Sequence, residues 1–159
     1  NKDGFVTEAC QVVEGGVGDD AFMKWARESL SPVLRPYDEN LHANSIVVLD
    51  NAIIHHNAEF VEMLEDIGCL VFYLSPYSPD FSAIEPCFHQ MKAWLKRNQE
   101  KVRSDPQMAL VEAMEESVTA ENMAGYFRKC GYPLESEESN NEEAVGLILC
   151  TAAAMVAGA

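Results

Sequence analysis

The sequence predicts an α/β domain, and three observations carry that expectation. Two short apolar runs rich in β-formers, Ser45–Leu49 and Cys69–Leu74, bracket an amphipathic segment. After Pro86 the apolar residues recur at helical rather than alternating spacing. Gly, Pro and Asn punctuate the boundaries. With 159 residues, 48% of them hydrophobic, the chain can bury one core and has the length of one domain, or of one domain with a tail.

The elements follow in order. Phe5–Val13 reads as a strand from Phe5, Val6, Val12 and Val13, although its polar positions do not alternate. Gly15, Gly16 and Gly18 end it. Asp19 or Asp20 caps a helix with an apolar face of Phe22, Trp25, Ala26 and Leu30, and Ser31-Pro32 stops it. Ser45–Leu49 has the continuous apolar character of a strand buried on both faces. Asn57 caps a helix carrying Phe60, Val61, Leu64 and Ile67, and Gly68 ends it. Cys69–Leu74 is a second buried strand, and a parallel crossover is the expected connection. Pro76 and Pro79 force a loop, and Pro86 marks a first helical residue, with Glu85 at or near the N-cap. That helix presents Phe88, Met91 and Leu95 inward. Asp105-Pro106 opens another, and Thr119 caps a last one that ends at Gly131. The acidic run 133–143 is a linker, and 144–159 is an Ala-rich apolar tail, loosely ordered or packed on itself. At 16 residues the tail is short of the ~18–20 needed to span a bilayer, so no membrane partner is expected.

Charge is uneven. The net charge of −15 disfavours nucleic acid as a partner of the whole surface. Residues 88–103, however, carry Lys92, Lys96, Arg97, Lys101 and Arg103 against Glu100 alone. The five cysteines are scattered and form no Cys-x-x-Cys pair, as expected of reduced thiols inside a cell.

The candidate chemistry centres on Asp50, at the end of the first apolar run, and Glu85, with thirty-four residues between them. A carboxylate at the C-terminal end of a parallel strand faces the crevice where α/β sheets bind ligands. Acids gathered there repel unless a hard cation such as Mg²⁺ neutralises them. Such residues are also ordinary capping groups, and the residues alone leave both readings open. Gly16-Val17-Gly18-Asp19-Asp20-Ala21 fits a dinucleotide fingerprint in form, but Asp19 and Asp20 would repel a pyrophosphate. A turn and helix start is the better reading, and no nucleotide cofactor is expected. His55 and His56 are adjacent, so their side chains diverge and do not suggest zinc. His55 is placed to position a substrate or a ligand acid, or is simply loop polarity.

The words around these acids are specific. Val48-Leu49-Asp50-Asn51-Ala52 with His55, then Tyr73-Leu74-Ser75-Pro76-Tyr77-Ser78-Pro79-Asp80-Phe81, then Ile84-Glu85, Phe88 and Lys92, resemble the DDE superfamily endonuclease domain. This is the catalytic domain of mariner-like and related bacterial insertion-sequence transposases. The resemblance covers about residues 4–103 and continues more weakly to 132. It implies a ribonuclease H-like mixed sheet flanked by helices. It implies DNA cleavage and strand transfer with two Mg²⁺ or Mn²⁺ ions, DNA and a homodimer as partners, and a nuclear location in a eukaryote or a cytoplasmic one in a bacterium. By the same resemblance Asp50 and Glu85 are the second and third catalytic acids and metal ligands. Asn51, His55, Tyr77 and Ser78 shape the site, and Lys92, Lys96 and Arg97 lie along DNA.

The chain departs from the family pattern in three ways. A first catalytic Asp, which the family places on a strand upstream of Phe5, has no counterpart here. No helix-turn-helix segment precedes residues 1–132. Ser75 replaces a Pro, and Ser82-Ala83 replaces Asn-Pro before the catalytic Glu, which is expected to loosen the loop that aims Glu85. The expectation is a domain truncated at its N-terminus, a fragment whose two carboxylates do not cleave DNA unaided. The alternative is a host-retained interaction domain, without catalysis, that binds DNA or protein.

Overall fold

The computed structural model describes residues 4, 6–13, 15–38, 44–76, 78–132 and 147–150. Strand β1 (Ile46–Leu49) is its centre. All four residues are buried, and their side chains alternate between two separate cores. Val47 and Leu49 face one core with Leu34 and two helical segments. The first is α1 (Asp19–Trp25), which runs into a π-helical turn, Ala26–Leu30. The second is α2 (Ala58–Ile67). Phe22, Ala26, Leu30, Phe60 and Leu64 are packed there with almost no exposure. Ile46 and Val48 face the other core, with α3 (Ile84–Arg97), α5 (Pro106–Ser117) and α6 (Ala120–Lys129).

Strand β2 (Leu70–Tyr73) pairs parallel to β1, with Leu49 opposite Tyr73. The helix between them starts and stops where the sequence indicates. The Asn57 side chain accepts the N–H groups of Glu59 and Phe60, at 3.0 and 3.3 Å. Gly68 ends α2 in the left-handed region, φ 82°, and its N–H closes on the carbonyls of Leu64 and Glu65. Asp105 and Thr119 cap α5 and α6 through their side chains.

Several expectations change. Phe5–Val13 is not a strand where described: residues 7–9 form a 3₁₀ turn. The missing alternation is the reason, and the segment is tied down instead by Trp25, whose indole N–H donates to the Ala9 carbonyl at 2.9 Å. The cap of α1 is Gly18, and Asp19 and Asp20 lie in the first turn, where their charge complements the helix dipole. β2 is only partly buried, with Phe72 and Tyr73 exposed, because it lies at the edge of the sheet. Helix α3 begins at Ile84, two residues before Pro86. A proline costs no hydrogen bond there, since first-turn N–H groups have no intrahelical acceptor. At Asn98 the chain leaves helical geometry, so Lys101 and Arg103 belong to a separate short helix, α4 (Gln99–Ser104).

A third strand, β3 (Leu147–Cys150), lies within the apolar tail, where the sequence suggests none. It pairs parallel to β1 on the side opposite β2, giving the order β2-β1-β3. The described sheet is therefore small and wholly parallel rather than mixed, in a mostly helical α/β fold. No described helix is long and apolar enough to cross a membrane.

Burial pushes the Cys10 and Cys87 thiols up to about 11. Their folded-state pKa lies above the unfolded value of 9.0, so the stability they contribute is present below pH 9 and is lost as pH rises towards 11. Alkylation at pH 8 should therefore spare Cys87 in the native protein and label it in urea, as read by peptide mass mapping. Gly68→Ala should lower the urea-unfolding free energy by about 1–2 kcal/mol, because an L side chain is strained in the left-handed region; its Cβ would also meet Pro36 Cβ at 3.4 Å.

Candidate active site

Parallel strands end at one edge of the sheet, and the candidate residues leave from that edge. Asp50 and Asn51 follow β1, and Leu74 follows β2. The Leu74 N–H donates to the Leu49 carbonyl at 2.8 Å, and the Asn51 side-chain amide donates to the Leu74 carbonyl. Asn51 thus ties the two strand ends together and leaves Asp50 at the mouth between them.

Asp50 is held in a defined pose. Its Oδ1 accepts the backbone N–H of Ala52 at 2.9 Å, closing a tight Asx turn. The same Oδ1 lies 2.8 Å from Nδ1 of His55. The Asp50 side chain is 47% exposed and that of His55 1%. His55 sits in a 3₁₀ turn, Ile53–His56, that carries the chain into α2. Behind its ring lies Phe22 of the first core, 5.7 Å between centroids. The Tyr73 hydroxyl on β2 donates to the His55 carbonyl at 2.9 Å, and Tyr73 also stacks on His56 at 4.6 Å. The expectation that adjacent histidines diverge holds: one is buried against Asp50, the other lies outside on Tyr73.

Glu85 lies in the first turn of α3 and is exposed. Residues 74–83 connect β2 to α3, and no described contact joins Glu85 to Asp50. The described part of the loop before Glu85 has several anchors. Ser82 and Ala83 are buried, Ala83 completely, in contact with the second core. The Glu85 N–H bonds to the Ser82 carbonyl at 3.1 Å, and the Tyr132 hydroxyl donates to the Phe81 carbonyl at 2.9 Å. The Ser78 hydroxyl bonds within the loop, to the Pro76 carbonyl at 3.4 Å. Tyr77 lies outside the described residues.

The basic residues divide. Lys92, Lys96 and Arg97 are exposed along α3. Lys101, by contrast, pairs with Glu112 and lies over the Trp94 ring, 5.4 Å from its centroid, so its charge is engaged within the protein.

Among the described residues no group of three or more His, Cys, Asp or Glu is gathered to hold a metal. The donors that are present have the right chemistry for Mg²⁺ or Mn²⁺, which take carboxylate oxygens and keep several waters. Asp50 supplies Oδ2, which is not used in the turn, and Glu85 supplies a second exposed carboxylate. Sequence reasoning missed the brace behind this site: Tyr73 on His55, Phe22 behind its ring, and Tyr132 on the loop. Each joins residues far apart in the chain, and no spacing rule announces such a pair. The exposure of Ile53, an apolar side chain in the turn after Asp50, was likewise unmarked.

Asp50→Asn keeps an acceptor for the Ala52 N–H and should unfold within about 0.5 kcal/mol of the parent in urea, whereas Asp50→Ala loses that acceptor and should cost about 1–2 kcal/mol.

A comparison with protein-family models matches residues 6–109 to DDE superfamily endonuclease. No curated protein and no solved structure matches the chain. The matched stretch contains β1, β2, α3, Asp50, Glu85 and the basic residues of α3. It spans more than half of the sequence, and the chain belongs to the DDE superfamily endonuclease family.

Proposed function

We propose that residues 1–132 are part of a transposase-type catalytic domain with a ribonuclease H-like core, acting in DNA strand cleavage and transfer. The observation that carries this reading is the family match together with the position of its acids. Asp50 leaves the C-terminal end of the buried central strand, and Glu85 opens the helix packed against that same strand. Asp50 and Glu85 hold divalent metal through carboxylate oxygens. When bound, Mg²⁺ or Mn²⁺ supplies activation of the attacking oxygen and stabilisation of the leaving one. Asn51 fixes the strand ends, and Ser78 and Tyr77 shape the site. Lys92, Lys96 and Arg97 follow the phosphate backbone, where their charge acts against a surface that is otherwise acidic. Residues 133–143 serve as a linker to the tail, and a second copy of the chain is the expected protein partner.

A second reading, an interaction domain without catalysis, is favoured by one observation: no three-residue metal group is assembled among the described residues.

Mn²⁺ titration of the 159-residue chain separates the two readings. Weak binding, lost in Asp50→Ala and in Glu85→Ala, is expected, with no nicking of supercoiled plasmid by this chain unaided. Mn²⁺ binding indifferent to both substitutions would overturn the site. Metal-dependent nicking abolished by Asp50→Ala would overturn the expected inactivity. DNA binding supplies a further check. Reversing Lys92, Lys96 and Arg97 to Glu should weaken duplex binding and reduce the slope of log K against log salt by about 0.9 for each phosphate that is no longer neutralised. An unchanged slope would remove these residues from the interface.

A further inference from the structure

We infer that His55 is a positioning residue that holds Asp50 as a one-oxygen metal ligand, with Oδ1 committed to the protein and Oδ2 presented to the ion. The inference rests on the metal-binding reading of Asp50 and adds to it which oxygen binds and what fixes the choice.

A carboxylate oxygen has about two good acceptor directions. Asp50 Oδ1 has a partner for each, the Ala52 N–H at 2.9 Å and His55 Nδ1 at 2.8 Å. An ionised carboxylate can only accept, so Nδ1 donates in this contact, and the Asp50 backbone carbonyl, 3.3 Å away, is a second and longer acceptor for the same nitrogen. Oδ2 has neither partner, and the Asp50 side chain is half exposed. The imidazole cannot swing aside, since its ring is 1% exposed, lies against Phe22, and its carbonyl is held by the Tyr73 hydroxyl. A simple packing role for His55 would be met by a leucine or phenylalanine. Such a residue would give up the contact to Oδ1 and allow the carboxylate to rotate. With one oxygen withheld, bidentate chelation is blocked. That favours the small octahedral ions Mg²⁺ and Mn²⁺ over Ca²⁺, which readily takes both oxygens of a carboxylate. Partners of this kind behind a metal ligand typically change affinity 10–100-fold when removed.

Two variants separate positioning from packing. His55→Leu keeps bulk and removes the donor; His55→Asn keeps an N–H near the place of Nδ1. Mn²⁺ affinity is read by electron paramagnetic resonance of free ion, and folding by circular dichroism. The expected result is a loss of about tenfold or more in His55→Leu, with His55→Asn within about threefold of the parent. Parent-like Mn²⁺ binding in folded His55→Leu, or His55→Asn as weak as His55→Leu, would overturn the inference. If His55→Leu does not fold, ¹⁵N spectroscopy of the parent imidazoles decides. His55 protonated at Nδ1, with that proton signal displaced in Asp50→Ala, supports the inference. A bare Nδ1 overturns it. Asp50→Asn is the control for the underlying reading. If it binds Mn²⁺ like the parent, Asp50 is not a ligand and the metal assignment itself fails. If it loses Mn²⁺ while His55→Leu does not, only the positioning role fails.

Discussion

Everything in this structure depends on a four-residue strand being dry on both faces. Ile46–Leu49 alternates its side chains into two cores, and Leu70 and Val71 of β2 extend the same division beside it. A strand buried in this way has no freedom of register, because a slip of one residue would exchange the two cores. The position at which it ends is therefore fixed, and the residue that ends it is Asp50. The acid is placed by the hydrophobic effect acting on its neighbours, before any polar contact is made.

The polar contacts then act over short distances on a frame already set. Asn51 joins the ends of the two strands, Ala52 closes the turn, and His55 is driven into the core far enough to meet the carboxylate from behind. The second core does the same for Glu85. Ala83 and Cys87 are packed under the first turn of α3, so the intervening glutamate is exposed on the other side of the helix. Two acids on elements of different type are thus oriented by two cores that meet at one strand.

Much of this was legible from the residues. The β-branched run gave β1, and the Asn57 and Gly68 caps gave α2 almost to the residue, because local chemistry determines both. The helices after Pro86 followed from their period. Phe5–Val13 failed as a strand because β-rich composition without alternation does not specify a sheet face. The exposure of Phe72 and Tyr73 was hidden because edge and centre strands share the same composition. β3 was hidden for a related reason: its partner lies about one hundred residues away, and an Ala-rich apolar run carries no mark of it. Asp50 and Glu85 were singled out as candidates through the words around them. The contact of His55 with Asp50 needed the path of the turn, and Tyr73 and Tyr132 needed tertiary packing.

Helix α3 is a charge-separated rod. Its carboxylate lies in the first turn, where the helix dipole is positive, and Lys96 and Arg97 lie in the last, where it is negative. Both ends therefore favour the folded helix with nothing bound, so these charged groups are no burden on its stability. The rod also acts as a ruler. Seven residues from Glu85 to Lys92 advance about 10 Å along the axis, at about 1.5 Å per residue. Seven residues make about two turns, so the acid and the cation share one face, and the helix itself fixes the interval between them.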